Sequence, residues 1–195
     1  NYEKPCKFKQ KVLDNIGRFI MSSKRNGSSA LFVAQAGIIA ALYVVLTVFA
    51  AGFDLASGAV QVRISEALTV LPVFTPAAVP GLFIGCVLAN LITGSAIYDV
   101  VFGSLITLAA AAVTRLLRNK KFIYTVPPVL FNALGVPVIL VLAYGVNTAY
   151  PFLVLTVGAG EAISVFGFGF ALKKILGRYR NTLFPVKEAQ RITDK

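Results

Sequence analysis

The sequence contains no histidine, only two cysteines and only eight acidic residues among 195. The absence of histidine removes the commonest general base and the commonest metal ligand. We expect no disulfide, because Cys6 lies in a polar arm and Cys86 in an apolar run. The chain also lacks a phosphate loop of the G-x-x-x-x-G-K-[ST] type and any His or Cys pair at metal-ligand spacing. These absences argue against ATP hydrolysis and metal binding by this chain, and we expect no cofactor.

Apolar residues, in contrast, are abundant, and apolar runs follow one another from Ala30 to Leu172. They make up 57% of the chain, and the mean hydropathy is +0.78. Runs of this length and composition are typical of membrane-spanning helices rather than of a soluble domain. We therefore predict an all-α integral membrane protein.

Basic residues outnumber acidic residues by 19 to 8, and nearly all of them lie in three polar segments. These segments are residues 1–28, the loop Arg115–Lys121 and the residues after Leu172. Basic residues in short loops beside membrane spans mark the cytoplasmic side. The charge therefore predicts that both termini and the internal loop are cytoplasmic, with lipid as the surrounding partner. Nucleic-acid binding is the weaker alternative, and we expect none.

The number of spans follows from this topology. A first span is predicted at about Ala30–Phe53, followed by an external loop at Asp54–Val62. The chain must then return to the cytoplasmic loop, which requires an odd number of spans. Three short spans fit residues 64–114, with breaks at Pro76–Pro80 and Thr93–Ser95.

Two further spans fit residues 122–172, divided near Gly145–Pro151. The total is six transmembrane helices. We divide the chain into a basic cytoplasmic arm at 1–28 with a possible interfacial helix, a six-span membrane domain at 29–175 and a basic cytoplasmic tail at 176–195.

Five charged residues interrupt the apolar stretches: Asp54, Arg63, Glu66, Asp99 and Glu161. A charge near the bilayer centre costs at least about 2.5 kcal/mol on insertion scales, so such residues persist where they line a site or pair with each other. Asp54 falls in the predicted loop, where water would solvate it. The other four mark the predicted functional centre.

Arg63 and Glu66 are three residues apart, a spacing that places both side chains on one helix face. They are predicted either to neutralise each other or to form the wall of a ligand site. Asp99 lies at the start of a predicted helix. There its negative charge would interact favourably with the helix dipole, or its side chain would face a ligand. Glu161 has apolar residues on both sides. Of the four charged residues, it is therefore the one that a purely structural role explains least well.

Asn90 and Asn132 lie inside apolar runs. Each amide can donate and accept in one plane, which suits recognition of the edge of a base-like ligand.

Small residues recur at helical spacing in the first span. Ala34, Gly37 and Ala41 lie on one stripe, and Ala36 and Ala40 on a second. Small residues let helix backbones approach closely in lipid. The stripes predict either packing within the chain or a docking face for another membrane subunit.

The segment from Arg63 to Ala112, which begins RISEALTVLPVF, resembles the queuosine-precursor transporter (QueT) family. The resemblance extends to AALYVVLT at 40–47 and to the FNALGVPVIL and GEAIS segments. Members of this family are substrate-binding S components of energy-coupling factor (ECF) vitamin transporters. The resemblance implies a six-helix fold with a cavity open to the outside and a deazaguanine base, a pre-queuosine base or queuine, as the substrate. It also implies a membrane-embedded T component and two ATPase subunits as partners.

The resemblance further implies that S components dock through a small-x-x-x-small motif on the first helix. Gly37 and Ala41, on the Ala34 stripe, match this motif best, with Ala36 and Ala40 as the alternative.

The predicted function is a non-enzymatic substrate-binding membrane subunit. Glu161 or Glu66 would accept the N–H groups of a purine-like edge, and Arg63 would orient Glu66 or gate the entrance. The predicted substrate-binding residues are Arg63, Glu66, Asn90, Asp99, Asn132 and Glu161. Two alternatives are an S component for a different vitamin or nucleobase and a small intramembrane enzyme, which would need a nucleophile or metal that the sequence does not show.

Overall fold

The computed structural model describes residues 7–53, 63–120 and 122–179, with side chains described from Ser29 onward. Cys6, the predicted loop at 54–62 and the end of the basic tail lie outside these ranges. The chain divides into two units, residues up to Ala34 and residues from Gln35 onward. Every regular element in the described ranges is helical, which confirms the all-α prediction.

The helices of the described ranges follow one another along the chain. They are α1 at Lys7–Gly52, a 3₁₀ helix at Ile64–Val73, α2 at Ala78–Ile92, α3 at Ser104–Leu116, α4 at Val126–Tyr144, α5 at Tyr150–Ala162 and α6 at Phe170–Arg178. A π-helical turn at Asp99–Gly103 leads into α3, and a second at Ile163–Gly169 joins α5 to α6.

Four segments are long and apolar enough to cross a membrane: Ser29–Gly52, Asp99–Leu116, Ile123–Tyr144 and Tyr150–Arg178. The length and the apolar composition of these helices therefore identify the chain as a membrane protein. The 3₁₀ helix and α2 are apolar but shorter. A helix needs about 20 residues to cross the hydrocarbon core. The count of six crossings therefore stays a prediction, although the helices end near the predicted breaks.

The 3₁₀ helix forms the centre of the second unit. It extends over ten residues, whereas such runs usually end after about four. All residues from Ser65 to Pro72 are buried, because α2, α3, α6 and the second π-helical turn pack around them. At its end, the Arg115 guanidinium donates to the carbonyl oxygens of Pro72 at 3.0 Å and Val73 at 3.3 Å. Arg115 thus stabilises the C-terminus of this helix, where carbonyl groups lack helical partners.

Helices α1 and α2 approach closely at two glycines. A Cβ at Gly81 would lie 2.8 Å from the Ala36 carbonyl oxygen, and one at Gly85 would lie 3.1 Å from the Ala40 Cα. Ala36 and Ala40 are buried. The second small-residue stripe of α1 is therefore occupied by packing within the chain.

This close approach predicts that Gly85→Ala destabilises the protein by about 1–3 kcal/mol, the usual cost of overpacking. The added Cβ would lie 2.8 Å from the Tyr43 Cβ and 3.0 Å from the Ala40 carbonyl oxygen, and neither atom can move without shifting α1. Gly37→Ala is the matched control, because a Cβ there meets no atom within 4 Å. Thermal unfolding of both variants in detergent measures the difference. Equal stability would contradict the close α1–α2 contact.

Candidate functional site

Two glutamates and an asparagine meet in the interior of the second unit. Glu66, Asn132 and Glu161 are each less than 5% exposed. The Asn132 Nδ2 donates to Glu161 Oε1 at 2.7 Å and reaches Glu66 Oε2 at a longer 3.5 Å. One amide therefore links two carboxyl groups that come from the 3₁₀ helix and α5.

Tyr43 of α1 completes this group. Its Oη donates to Glu66 Oε1 at 2.5 Å, and its side chain is buried. Four elements thus supply the acid cluster, which we define as Tyr43, Glu66, Asn132 and Glu161. A buried carboxyl group is tolerated only where donors face it, and here two donors serve two carboxyl groups.

Local backbone geometry places these side chains. Glu161 lies in the last turn of α5, immediately before the π-helical turn at Ile163–Gly169. Such turns shift the side-chain register of a helix and are frequent at functional sites. A Cβ at Gly158 would lie 3.3 Å from the Ala133 Cβ. This small residue brings α5 close to α4, so that Asn132 can reach Glu161.

The structure corrects the predicted relation between Arg63 and Glu66. Arg63 precedes the 3₁₀ helix in an extended conformation, and its carbonyl oxygen accepts the Glu66 N–H at 3.0 Å. The expected side-chain pair is absent among the described residues, because the Glu66 carboxyl group turns to Tyr43 and Asn132 instead. The Arg63 guanidinium remains half-buried and within electrostatic range of Glu66, Glu161 and Asp99.

Asn90 and Asp99 form a second polar group. The Asn90 Nδ2 donates to the Asp99 carbonyl oxygen at 2.9 Å and faces the Cys86 sulfur at 3.7 Å. Tyr144 donates its Oη to Asp99 Oδ2 at 2.6 Å. We call Asn90, Asp99 and Tyr144 the Asp99 group.

Cys86 lies between the two groups. It contacts Asn90 and is within electrostatic range of Glu66 and Tyr43. The acid cluster and the Asp99 group contain five of the six predicted site residues, and Arg63 is within electrostatic range of both groups. Their binding of a ligand stays a prediction. The region offers carboxyl and amide oxygens as acceptors and one guanidinium and two amides as donors, a set suited to a small polar molecule.

The sequence analysis missed Tyr43 and Tyr144. Tyr43 is seven residues from Ala36 and three from Ala40 on the inward face of α1, near the middle of an uncharged span. A phenolic hydroxyl at that depth needs a hydrogen-bond partner, which is a signal that could have indicated its role. Tyr144 lies at the end of α4 and carried no comparable signal.

The two small-residue stripes of α1 differ in exposure. Ala34, Gly37 and Ala41 are exposed, whereas Ala36 and Ala40 are buried against α2. Gly37 and Ala41 therefore form the stripe that remains available to another helix. Docking through them stays a prediction.

No group of three or more His, Cys, Asp or Glu side chains in the described part of the chain is arranged to hold a metal ion. The family model described as the QueT transporter matches residues 33–178. No curated protein and no solved structure matches the chain.

Proposed function

Because the chain belongs to the QueT transporter family, we propose that it is the membrane-embedded substrate-binding S component of an ECF-type importer for a queuosine precursor. The ligand would be a deazaguanine base, such as a pre-queuosine base or queuine. The acid cluster is the observation that carries this proposal. Buried carboxyl groups are rare in membrane-spanning domains and commonly mark a substrate pathway.

The unused atoms of the cluster suit the aminopyrimidinone edge of such a base. Glu161 Oε2 accepts no hydrogen bond from any described residue, while Oε1 is held by Asn132. Adjacent N–H groups of the ligand would donate to the Glu161 carboxyl group. The Arg63 guanidinium donates no hydrogen bond within the described residues. It would donate to the carbonyl oxygen of the ligand.

A ligand panel tests this proposal. The purified subunit is titrated calorimetrically with pre-queuosine bases, queuine, guanine and unrelated vitamins. Tight 1:1 binding of a deazaguanine base without its conversion supports the proposal. Preferential binding of a vitamin favours an S component for another substrate, and release of a product from the bound base favours an intramembrane enzyme.

The partners in this proposal are a membrane-embedded T component and two cytoplasmic ATPases, which would supply the energy of transport. The chain offers the exposed stripe of Gly37 and Ala41 for docking. Such a stripe lets a second helix approach its backbone closely.

The proposed topology places both termini and the loop after α3 in the cytoplasm, because basic residues flank the spans on that side. We expect Asn119→Cys to react with a membrane-impermeant thiol reagent only after the cells are permeabilised, since Asn119 is exposed in this basic loop. Ser57→Cys, in the predicted external loop, should react in intact cells. Both variants carry Cys6→Ser, and the buried Cys86 remains. Labelling at position 119 from outside would contradict the six-span arrangement.

A further inference from the structure

A cavity of about 510 Å³ opens at the end of α6. Among the described residues it is lined by Lys174, Ile175, Arg178 and Tyr179, and all four are exposed. None of them belongs to the acid cluster or to the Asp99 group. The cavity is therefore a candidate site that the proposed function does not use.

The cavity has one basic wall and one apolar wall. Lys174 and Arg178 are four residues apart, and so are Ile175 and Tyr179. Residues four apart lie on the same face of an α-helix, so the two pairs form adjacent stripes along the end of α6. The cavity therefore suits a molecule that carries an anionic group next to an apolar one.

The basic wall has no acidic partner in the part of the chain that the structure describes. The acidic side chains described there belong to the acid cluster and the Asp99 group, and all of them are buried. Lys173 turns to Tyr124 instead: its Nζ donates to the Tyr124 Oη at 2.7 Å and lies 4.0 Å from the ring centroid. Neither Lys174 nor Arg178 has such a side-chain partner among the described residues. Their charge is thus available to an anion from outside the protein.

The length of the last apolar segment places the cavity at the level of the lipid headgroups. Tyr150–Arg178 has 29 residues, whereas about 20 residues cross the hydrocarbon core. The last nine residues of this segment are α6, none of which is buried. Helix α6 therefore extends past the hydrocarbon core, into the layer where tyrosine and basic side chains meet lipid phosphates.

We propose that the cavity at the end of α6 binds the headgroup of an anionic phospholipid. Lys174 and Arg178 would hold the phosphate, because ammonium and guanidinium groups form charge-assisted hydrogen bonds with its oxygens. Ile175 would contact the glycerol and the first methylene groups of the acyl chains. A free phosphate ion would use the basic wall alone, so the apolar wall favours a lipid.

Lipid titration of the full-length subunit in detergent tests this inference. Phosphatidylglycerol and phosphatidylcholine with the same acyl chains are compared by thermal unfolding and by native mass spectrometry, with inorganic phosphate as a third arm. A ligand that binds the folded state raises the unfolding temperature by mass action. We expect phosphatidylglycerol to bind at least about tenfold more tightly than phosphatidylcholine. Inorganic phosphate should not raise the unfolding temperature.

A pair of double variants tests the position of the site. Lys174→Gln with Arg178→Gln should abolish the preference for phosphatidylglycerol, because it removes both charges of the basic wall. Arg118→Gln with Lys120→Gln is the matched control. It also removes one exposed lysine and one exposed arginine, but in the loop after α3. The control should keep the preference.

Each contrary outcome has a definite meaning. Equal affinity for the two lipids, or an equal loss of preference in both double variants, overturns the inference, because the attraction would then belong to no particular site. Stabilisation by inorganic phosphate to the level of phosphatidylglycerol would assign the cavity to a free anion. Absence of a lipid preference, together with weaker co-purification of partner subunits by the α6 double variant, would assign it to a protein. None of these results bears on the proposed substrate, which the ligand panel tests separately.

Discussion

Glu161→Gln is expected to weaken binding of a deazaguanine base by about 2–4 kcal/mol, the cost of leaving a desolvated charged hydrogen bond unmade. Asn132 holds Oε1 of this carboxyl group at 2.7 Å, so Oε2 is the atom left for the ligand. A glutamine can keep its carbonyl oxygen towards Asn132 only by turning its NH₂ group towards the ligand. Two donors would then face each other.

Folding should survive this change, because removing a buried charge from a membrane domain is itself favourable. Calorimetric titration of the base against both forms measures the loss, and thermal unfolding reports on the fold. Unchanged affinity would remove Glu161 from the site and leave Glu66 and Asp99 as the acidic candidates.

Glu66→Gln is the matched comparison, since it makes the same chemical change on the neighbouring carboxyl group. Both Glu66 oxygens already face donors, Tyr43 on Oε1 and Asn132 on Oε2. We therefore expect a smaller loss of affinity at Glu66 than at Glu161. The reverse order would make Glu66 the residue that contacts the ligand and Glu161 its support.

Gly37→Leu is expected to abolish assembly with the partner subunits and transport, while ligand binding by the isolated subunit stays unchanged. A Cβ at Gly37 meets no atom within 4 Å, so the isolated subunit has room for the larger side chain. A partner helix packed against this stripe would not, because close backbone approach in lipid tolerates no large side chain. Co-purification of the subunits and uptake by cells measure the two effects.

Gly167→Leu is the control for this experiment. Gly167 also has no atom within 4 Å of its Cβ position, but it lies in the second π-helical turn rather than on α1. It makes the same chemical change at an open position away from the proposed docking face, and we expect normal assembly. Assembly and uptake by Gly37→Leu at the level of the unmodified protein would show that the partners bind elsewhere.

The comparison of the two small-residue stripes shows where local patterns stop being informative. Both stripes have the same spacing and nearly the same composition, so the sequence analysis kept Gly37/Ala41 and Ala36/Ala40 as alternatives. The position of α2 distinguishes them, because Gly81 and Gly85 pack against Ala36 and Ala40. A helical period identifies a face but not the neighbour that covers it.

Sequence alone determined the class of the protein and the polar residues that interrupt its apolar segments. Apolar runs of this length can exist in lipid only as helices, because every backbone N–H and C=O must be bonded internally. Polar residues in such runs carry a cost that makes them candidates for a functional site. The predicted breaks near Pro76–Pro80 and Thr93–Ser95 also agree with the helix ends, since proline and glycine act through local backbone geometry.

Only the tertiary structure decided how the polar residues pair. Spacing alone suggested that Arg63 would meet Glu66 as on an α-helix, but Arg63 is extended and the helix after it is a buried 3₁₀ helix. Glu66 accepts a hydrogen bond from Tyr43, which lies 23 residues before it in the chain. Glu161 accepts one from Asn132, 29 residues before it. Hydrogen bonds between helices depend on how those helices pack, and no periodicity within one segment encodes the choice.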